Sequence, residues 1–162
     1  MGDKRSHIIQ DIPEGKEADA EIFQFIGIRL EKEIYGIEVN KVKEVAKPFQ
    51  ITPIPGTPSH IMGLMNLHGE ILCVVDLKVL LAMGTAGSTE NSKIIVVKTA
   101  EGPVGVFCDE VIDIFDIMKK DLEIPLSTLS SAMGEYIKAQ AQTRCGLMGI
   151  LDIEKLLYKQ EK

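Results

Sequence analysis

The sequence predicts an all-β fold with a few short helices, arranged as two small barrels. Three observations carry this expectation. The apolar runs are short and rich in Val and Ile, which suits strands better than helices. Gly and Pro, 14 and 7 of 162 residues, interrupt them often. The order strand, Asp, helix occurs twice, at Val75-Asp76-Leu77 and at Leu151-Asp152-Ile153, so the two halves read as versions of one plan. Brief helices between many strands argue against an α/β nucleotide-binding fold. Periodicity leaves the topology of the barrels open.

Residues 1–20 are polar, carry Pro13 and Gly15, and are expected to form a flexible N-terminal tail. From Glu21 onward Ile22, Gln24, Ile26 and Ile28 alternate with Phe23, Phe25 and Gly27, a strand with one strongly apolar face and a second that is partly covered. Lys32-Glu33 marks a hairpin turn, residues 34–39 return, and Asn40 is placed to cap a short turn over 41–45 before Pro48. Residues 51–58 hold three prolines and predict an extended crossing loop at the surface. Residues 59–63 are expected to make one helical turn. In Gly63-Leu-Met-Asn-Leu-His-Gly-Glu-Ile-Leu-Cys-Val-Val-Asp-Leu77, Asn66, His68 and Gly69 form a polar turn, residues 71–75 a strand, and Asp76 caps a helix over 77–83.

The small-residue run 84–92 is the candidate boundary. It separates a first half, 21–84, from a second, 93–160, with 85–92 as linker and 21–160 as the folded domain. In the second half, residues 93–98 and 104–108 read as a hairpin, and 111–117, mixing acidic and apolar residues, as a twisted half-exposed strand. A short helix is expected at 126–133. Residues 136–142 and 147–151 read as strands joined by a turn at Arg144-Cys145-Gly146, and Asp152 caps a closing helix at 153–158.

Composition narrows the function. With 45% hydrophobic and 26% charged residues the chain is ordinary for a soluble globular fold. A net charge of −6 argues against nucleic acid or an anionic membrane as the main partner. No signal-peptide core and no run near the ~20 apolar residues of a membrane span occurs, so a cytoplasmic location is expected. Cys73, Cys108 and Cys145 lie far apart in settings that suit small core residues. His7, His60 and His68 share no ligand spacing with them, so neither metal nor cofactor is expected. Asp109, Asp113 and Asp116 do not fall on one strand face and read as solvated charges. No phosphate loop and no Gly-x-Ser-x-Gly elbow is present, so no catalytic residue is named. Met62 and Met65 read as flexible core filler or as adaptable contacts.

Taken in order, Phe23-Gln-Phe25, Ile34-Tyr-Gly-Ile-Glu-Val-Asn-Lys-Val-Lys-Glu-Val45, the 63–77 stretch, Val104-Gly-Val-Phe-Cys-Asp109 and Gly149-Ile-Leu-Asp-Ile-Glu-Lys-Leu-Leu157 resemble a CheW-type chemotaxis coupling domain over about residues 21–158. The resemblance implies two intertwined five-stranded barrels of the Src-homology-three-like kind. It also implies a non-enzymatic adaptor between the cytoplasmic tip of chemoreceptors and the regulatory domain of the histidine kinase CheA. Such an adaptor is a monomer in isolation, recruited to receptor arrays at the membrane through end-to-end barrel contacts. The receptor-binding groove it implies comprises Val39, Val42, Glu44, Asn66 and His68, although Val39 and Val42 read equally well as core. A module of a CheV- or CheA-type protein, or of a non-motility chemosensory pathway, is the alternative. A small β-scaffold hydrolase would need a nucleophile and base that are not found.

One position departs from the family pattern. Arginine usually stands where this chain has His68, and it would pair with Glu44. Histidine, charged only when protonated, weakens that pair or makes it pH-sensitive, with an expected change of partner choice.

Overall fold

The computed structural model describes residues 21–84, 89–124 and 134–160. Among these, ten strands form two five-stranded, barrel-like sheets. The strands are β1 (Ile22–Leu30), β2 (Glu33–Glu38), β3 (Val42–Ala46), β4 (Ile61–Leu67), β5 (Glu70–Asp76), β6 (Lys93–Thr99), β7 (Gly102–Cys108), β8 (Glu110–Met118), β9 (Ile137–Thr143) and β10 (Gly146–Leu151). Helix α1 (Leu77–Leu80) follows β5 and α2 (Ile153–Gln160) follows β10, while short 3-10 turns occupy Val39–Lys41 and Lys119–Asp121.

Barrel A has the strand order β8-β1-β2-β10-β9 and barrel B the order β3-β6-β7-β5-β4. In each the pairings run antiparallel, antiparallel, parallel, antiparallel. The registers superimpose as well. Gly36 lies between Gly27 and Ile150, as Gly105 lies between Val96 and Val74. The internal repeat is therefore a pseudo-twofold of structure. The sheets do not follow the sequence halves: barrel B is one uninterrupted stretch, residues 42–108, set between the two strands and the three strands that make barrel A.

Alternation decides which core each side chain joins. Phe25, Ile34, Phe115, Ile117, Ala141, Met148 and Ile150 fill barrel A, and Met65, Leu72, Val74, Ile94, Val96 and Phe107 fill barrel B. The intervening residues, such as Ile26, Ile28, Val75, Ile95 and Val97, meet in a third cluster with Leu77, Leu80, Leu81, Ile153, Leu156 and Leu157 of the helical segments. This central seam joins both sheets and is the largest of the three. At roughly 1.5–3 kcal/mol per buried aliphatic side chain, it binds the barrels into one body. Strands buried on both faces explain the continuous run Ile94-Ile95-Val96-Val97.

Both capping aspartates act as the sequence predicts. Asp76 Oδ1 accepts from the Lys78 amide at 2.9 Å and Asp152 Oδ1 from the Lys155 amide at 3.1 Å. The two caps are anchored alike, the Asp76 amide donating to the His60 carbonyl and the Asp152 amide to the Tyr136 carbonyl.

Four local expectations are corrected. The first hairpin turn is Glu31-Lys32, since Glu33 already pairs with Leu30, and the helix after Asp76 spans only Leu77–Leu80. Residues 41–45 are not a capped turn. Asn40 lies within the 3-10 turn and residues from Val42 onward are β3, because Val42 and Val45 pair with Val97 and Ile95 of β6. Residues 59–63 are not helical either. Ile61 already pairs with Val75, and Gly63, at φ 144°, carries a bulge no helix accommodates. The crossing segment is extended as expected and is tied down where Thr52 and Leu64 exchange two backbone hydrogen bonds of 2.8 and 2.9 Å. The predicted tail and the helix at 126–133 lie outside the described residues.

Candidate functional site

The β4–β5 hairpin ends in a two-residue turn, His68 at φ 53° and Gly69 at φ 86°, the left-handed pair of a type I′ turn. Asn66 Oδ1 accepts from the Gly69 amide at 3.1 Å and fixes that turn. Curvature of barrel B brings its two edges together here. His68 Nε2 lies 3.0 Å from Glu44 Oε1, and Lys43 Nζ lies 3.3 Å from Glu70 Oε1. Neighbouring residues of a regular strand face opposite ways; the bulge between Val42 and Glu44 lets both Lys43 and Glu44 reach the hairpin. Two side-chain bridges thus close the barrel where the backbone ladder does not.

Three of the five expected residues, Glu44, Asn66 and His68, are gathered around this turn. His68 is 70% exposed and Glu44 31%, so their contact is a surface one worth at most about 1 kcal/mol and open to exchange with a partner. Val39 and Val42 are half-buried and pack against the central cluster. Their core reading holds for the side packed at the seam, and the other side of each is left uncovered.

The same geometry recurs in barrel A. Arg144, in the β9–β10 turn, pairs with Asp113 of β8, and its guanidinium sits 4.8 Å from the centre of the Phe115 ring. Asp113 follows a bulge opposite Gly27 just as Glu44 follows one opposite Val96. Asp109 is also partnered, with Lys78 at 3.3 Å, and Asp116 accepts from Gln24 at 3.0 Å, so these three aspartates are not simply solvated charges.

Around the His68 turn the outer face carries Leu64 and Ile71, 37% and 61% exposed, which flank Asn66. Burial alternates along β4, with Leu64 and Asn66 outward and Met65 inward, but the stretch Leu-Met-Asn-Leu does not alternate in polarity and so carries no signal for an apolar outer face. Met65 is buried in the barrel B core, and Met62, turned inward by the bulge between Ile61 and Gly63, packs against it while staying partly exposed, so Met65 is core filler. Cys108 is buried and its thiol is pushed up to about 12, by burial first, while Cys73 is half-buried. Cys145, in the β9–β10 turn, is exposed rather than a core residue. Among the described residues no group of three or more His, Cys, Asp or Glu is placed to hold a metal ion, and no helix is long and apolar enough to cross a membrane.

The family model for the CheW-like domain matches residues 24–161. The chain is 26% identical over 145 residues to the chemotaxis protein CheW of Treponema pallidum, covering 87% of this chain and 85% of that one. It is 30% identical over 138 residues to the chemotaxis protein CheW of Klebsiella aerogenes, covering 85% and 83%. Among solved structures, the scaffolding protein TtCheW of Thermoanaerobacter tengcongensis superimposes with a TM-score of 0.75 at 30% identity, covering 83% of this chain and 91% of that one. Family model, relatives and fold agree over the stretch that carries both barrels, and the chain belongs to the CheW-like domain family of chemotaxis scaffold proteins.

Proposed function

We propose that this chain is a non-enzymatic adaptor that couples the cytoplasmic tip of chemoreceptors to the regulatory domain of the histidine kinase CheA. The observation that carries the reading is the family match over 24–161, which spans both barrels and the seam between them. An adaptor needs two separated surfaces on a frame that does not yield, and a seam larger than either barrel interior supplies the frame. Glu44, Asn66 and His68, with the uncovered sides of Val39 and Val42, form the receptor groove, into which an amphipathic receptor helix lays its apolar face. The barrel ends remain for the kinase. The work takes place in the cytoplasm, with recruitment to receptor arrays.

The test is a pull-down of the purified chain against the CheA regulatory domain and, separately, a receptor-tip helical fragment. Glu44→Ala and His68→Ala should lower capture of the receptor fragment and leave the kinase domain bound. Failure of the unmodified chain to capture either partner overturns the coupling role.

A further inference from the structure

The pseudo-twofold places one ion pair at each step where the chain passes between sheets, with reversed polarity. Lys78, second residue of α1, reaches Asp109 in the step from β7 to β8. Glu154, second residue of α2, reaches Lys41 in the step from β2 to β3. The helix carries the cation in one pair and the anion in the other. Each pair ties a helix to a crossing strand end, and so each spans the seam.

The two are unequal in burial. Lys78 is 6% exposed and Asp109 20%, and a third group joins them: Glu31 Oε1 lies 3.4 Å from Lys78 Nζ, while the Glu31 amide donates to Asp109 Oδ2 at 2.9 Å. Glu31 belongs to the β1–β2 turn, so α1, the crossing and barrel A are joined at one point. At the other crossing Lys41 is 27% exposed and Glu154 62%, and no third charge is placed against them among the described ion pairs. The largely buried Lys78–Asp109 pair, with the 54% exposed Glu31 at its rim, cannot lose a partner cheaply, whereas an exposed pair exchanges readily with water, salt or a ligand.

We infer that the seam has a fixed side and a releasable side: Lys78, Asp109 and Glu31 are a pin, and Lys41–Glu154 is a latch beside Val39 and Val42 that a docking partner displaces. The consequence for binding rests on the groove reading given above; the inequality of the two sides does not. Lys41 immediately precedes Val42 and shares the 3-10 turn with Val39. A helix entering over those valines therefore meets the latch first, and the pin keeps the opposite side closed while it does.

Amide hydrogen exchange of the full chain tests this. The Val42 amide, bonded to the Val39 carbonyl, and the Leu156 amide, bonded to the Asp152 carbonyl, report the latch, and the Glu31 amide reports the pin. Glu154→Gln should speed exchange at Val42 and Leu156 by roughly two- to fivefold, leaving Glu31 and the denaturation midpoint unchanged. The exchanged pair Lys41→Glu with Glu154→Lys should restore the original rates. Unchanged rates at Val42 and Leu156, or equal acceleration at Glu31, overturn the inference. Receptor-fragment affinity of Glu154→Gln is the separate readout: a gain supports release by the partner. Faster exchange with unaltered affinity refutes partner release while leaving the unequal seam; the groove itself is judged separately, by Glu44→Ala and His68→Ala.

Discussion

Replacing Gly63 by Ala tests whether the crossing segment is held as its backbone geometry implies. At φ 144° a Cβ on residue 63 would lie 2.1 Å from the Thr52 carbonyl oxygen, 2.6 Å from its carbon and 3.0 Å from Pro53 Cα. All three are backbone atoms, so no rotamer change relieves the clash. The segment must lift off β4 and give up the two bonds between Thr52 and Leu64. Those bonds contribute about 0.5–1.5 kcal/mol each, and a side chain at this φ adds strain of about 1–3 kcal/mol. Set against the ~0.4–1 kcal/mol that Ala gains by restricting the unfolded chain, the expected loss is about 2–5 kcal/mol. Gly56→Ala is the control, because Gly56 has φ 82° and nothing within 4 Å of the added carbon; its net loss should be about 1 kcal/mol. Urea unfolding of the two variants, with equal slopes, measures the difference. The pseudo-twofold makes the outcome informative. Ala139 occupies the place in barrel A that Gly63 occupies in barrel B, opposite Ile150 as Gly63 is opposite Val74, and beside an equivalent two-way bridge between Glu123 and Gln140. Equal losses in the two variants would mean that residue 63 can adopt the conformation of Ala139, and the argument from steric contact would be refuted.

Four further outcomes are expected. Lys78→Ala should cost about 3 kcal/mol, chiefly by stranding the largely buried Asp109, since Glu31 stays in water; the loss is measured by chemical denaturation, and one near that of a surface lysine would show the pin to be unimportant. Stability should fall on the alkaline side. Burial would lower the Lys78 pKa, but the hydrogen bonds and charges of Asp109 and Glu31 outweigh it and raise it, so its contribution is complete below the usual lysine range and lost as pH rises through the folded value. Cys108 adds to the fall from an ordinary 9.0 toward about 12, because the unfolded thiol ionises first; Cys108→Ala should remove about 1.4 kcal/mol of the loss seen at pH 10. A thiol reagent at pH 8 should label Cys145 rapidly and Cys108 only on unfolding, with fast labelling of Cys108 contradicting its burial. His68→Arg should strengthen the contact to Glu44 and change receptor-fragment affinity or selectivity at unchanged kinase binding; identical affinity and selectivity would remove His68 as a determinant of partner choice.

Most strands were legible because alternation and glycine-bounded runs are local signals, and both aspartate caps were legible because a carboxylate before an apolar run has one obvious use. Val42–Ala46 was misread since Val-Lys-Glu-Val satisfies a helical turn as well as a strand, and only pairing with β6 decides between them. Residues 59–63 failed for a related reason: the anchoring bond from the Asp76 amide to the His60 carbonyl is non-local. The contact of Glu44 with His68 followed from the family resemblance. Its counterpart in barrel A was present in the numbering, His68 and Arg144 each standing eight residues before a capping aspartate. What no spacing disclosed was that the two turns each reach the far edge of their own sheet, because barrel curvature belongs to the whole sheet.

The placement of barrel B within a single stretch has a consequence for how the chain is made. All five of its strands have been synthesised once residue 108 is added, and it can close once that stretch has left the ribosome, before the rest of barrel A is complete. The first two strands of barrel A, although made earliest, have no complete sheet to join until residue 151 exists. At about 5–20 residues per second they wait several seconds with Ile26, Ile28 and Ile37 short of their final neighbours. The first-made strands of the domain are thus the last to reach their final sheet, and the seam they share with barrel B is completed last.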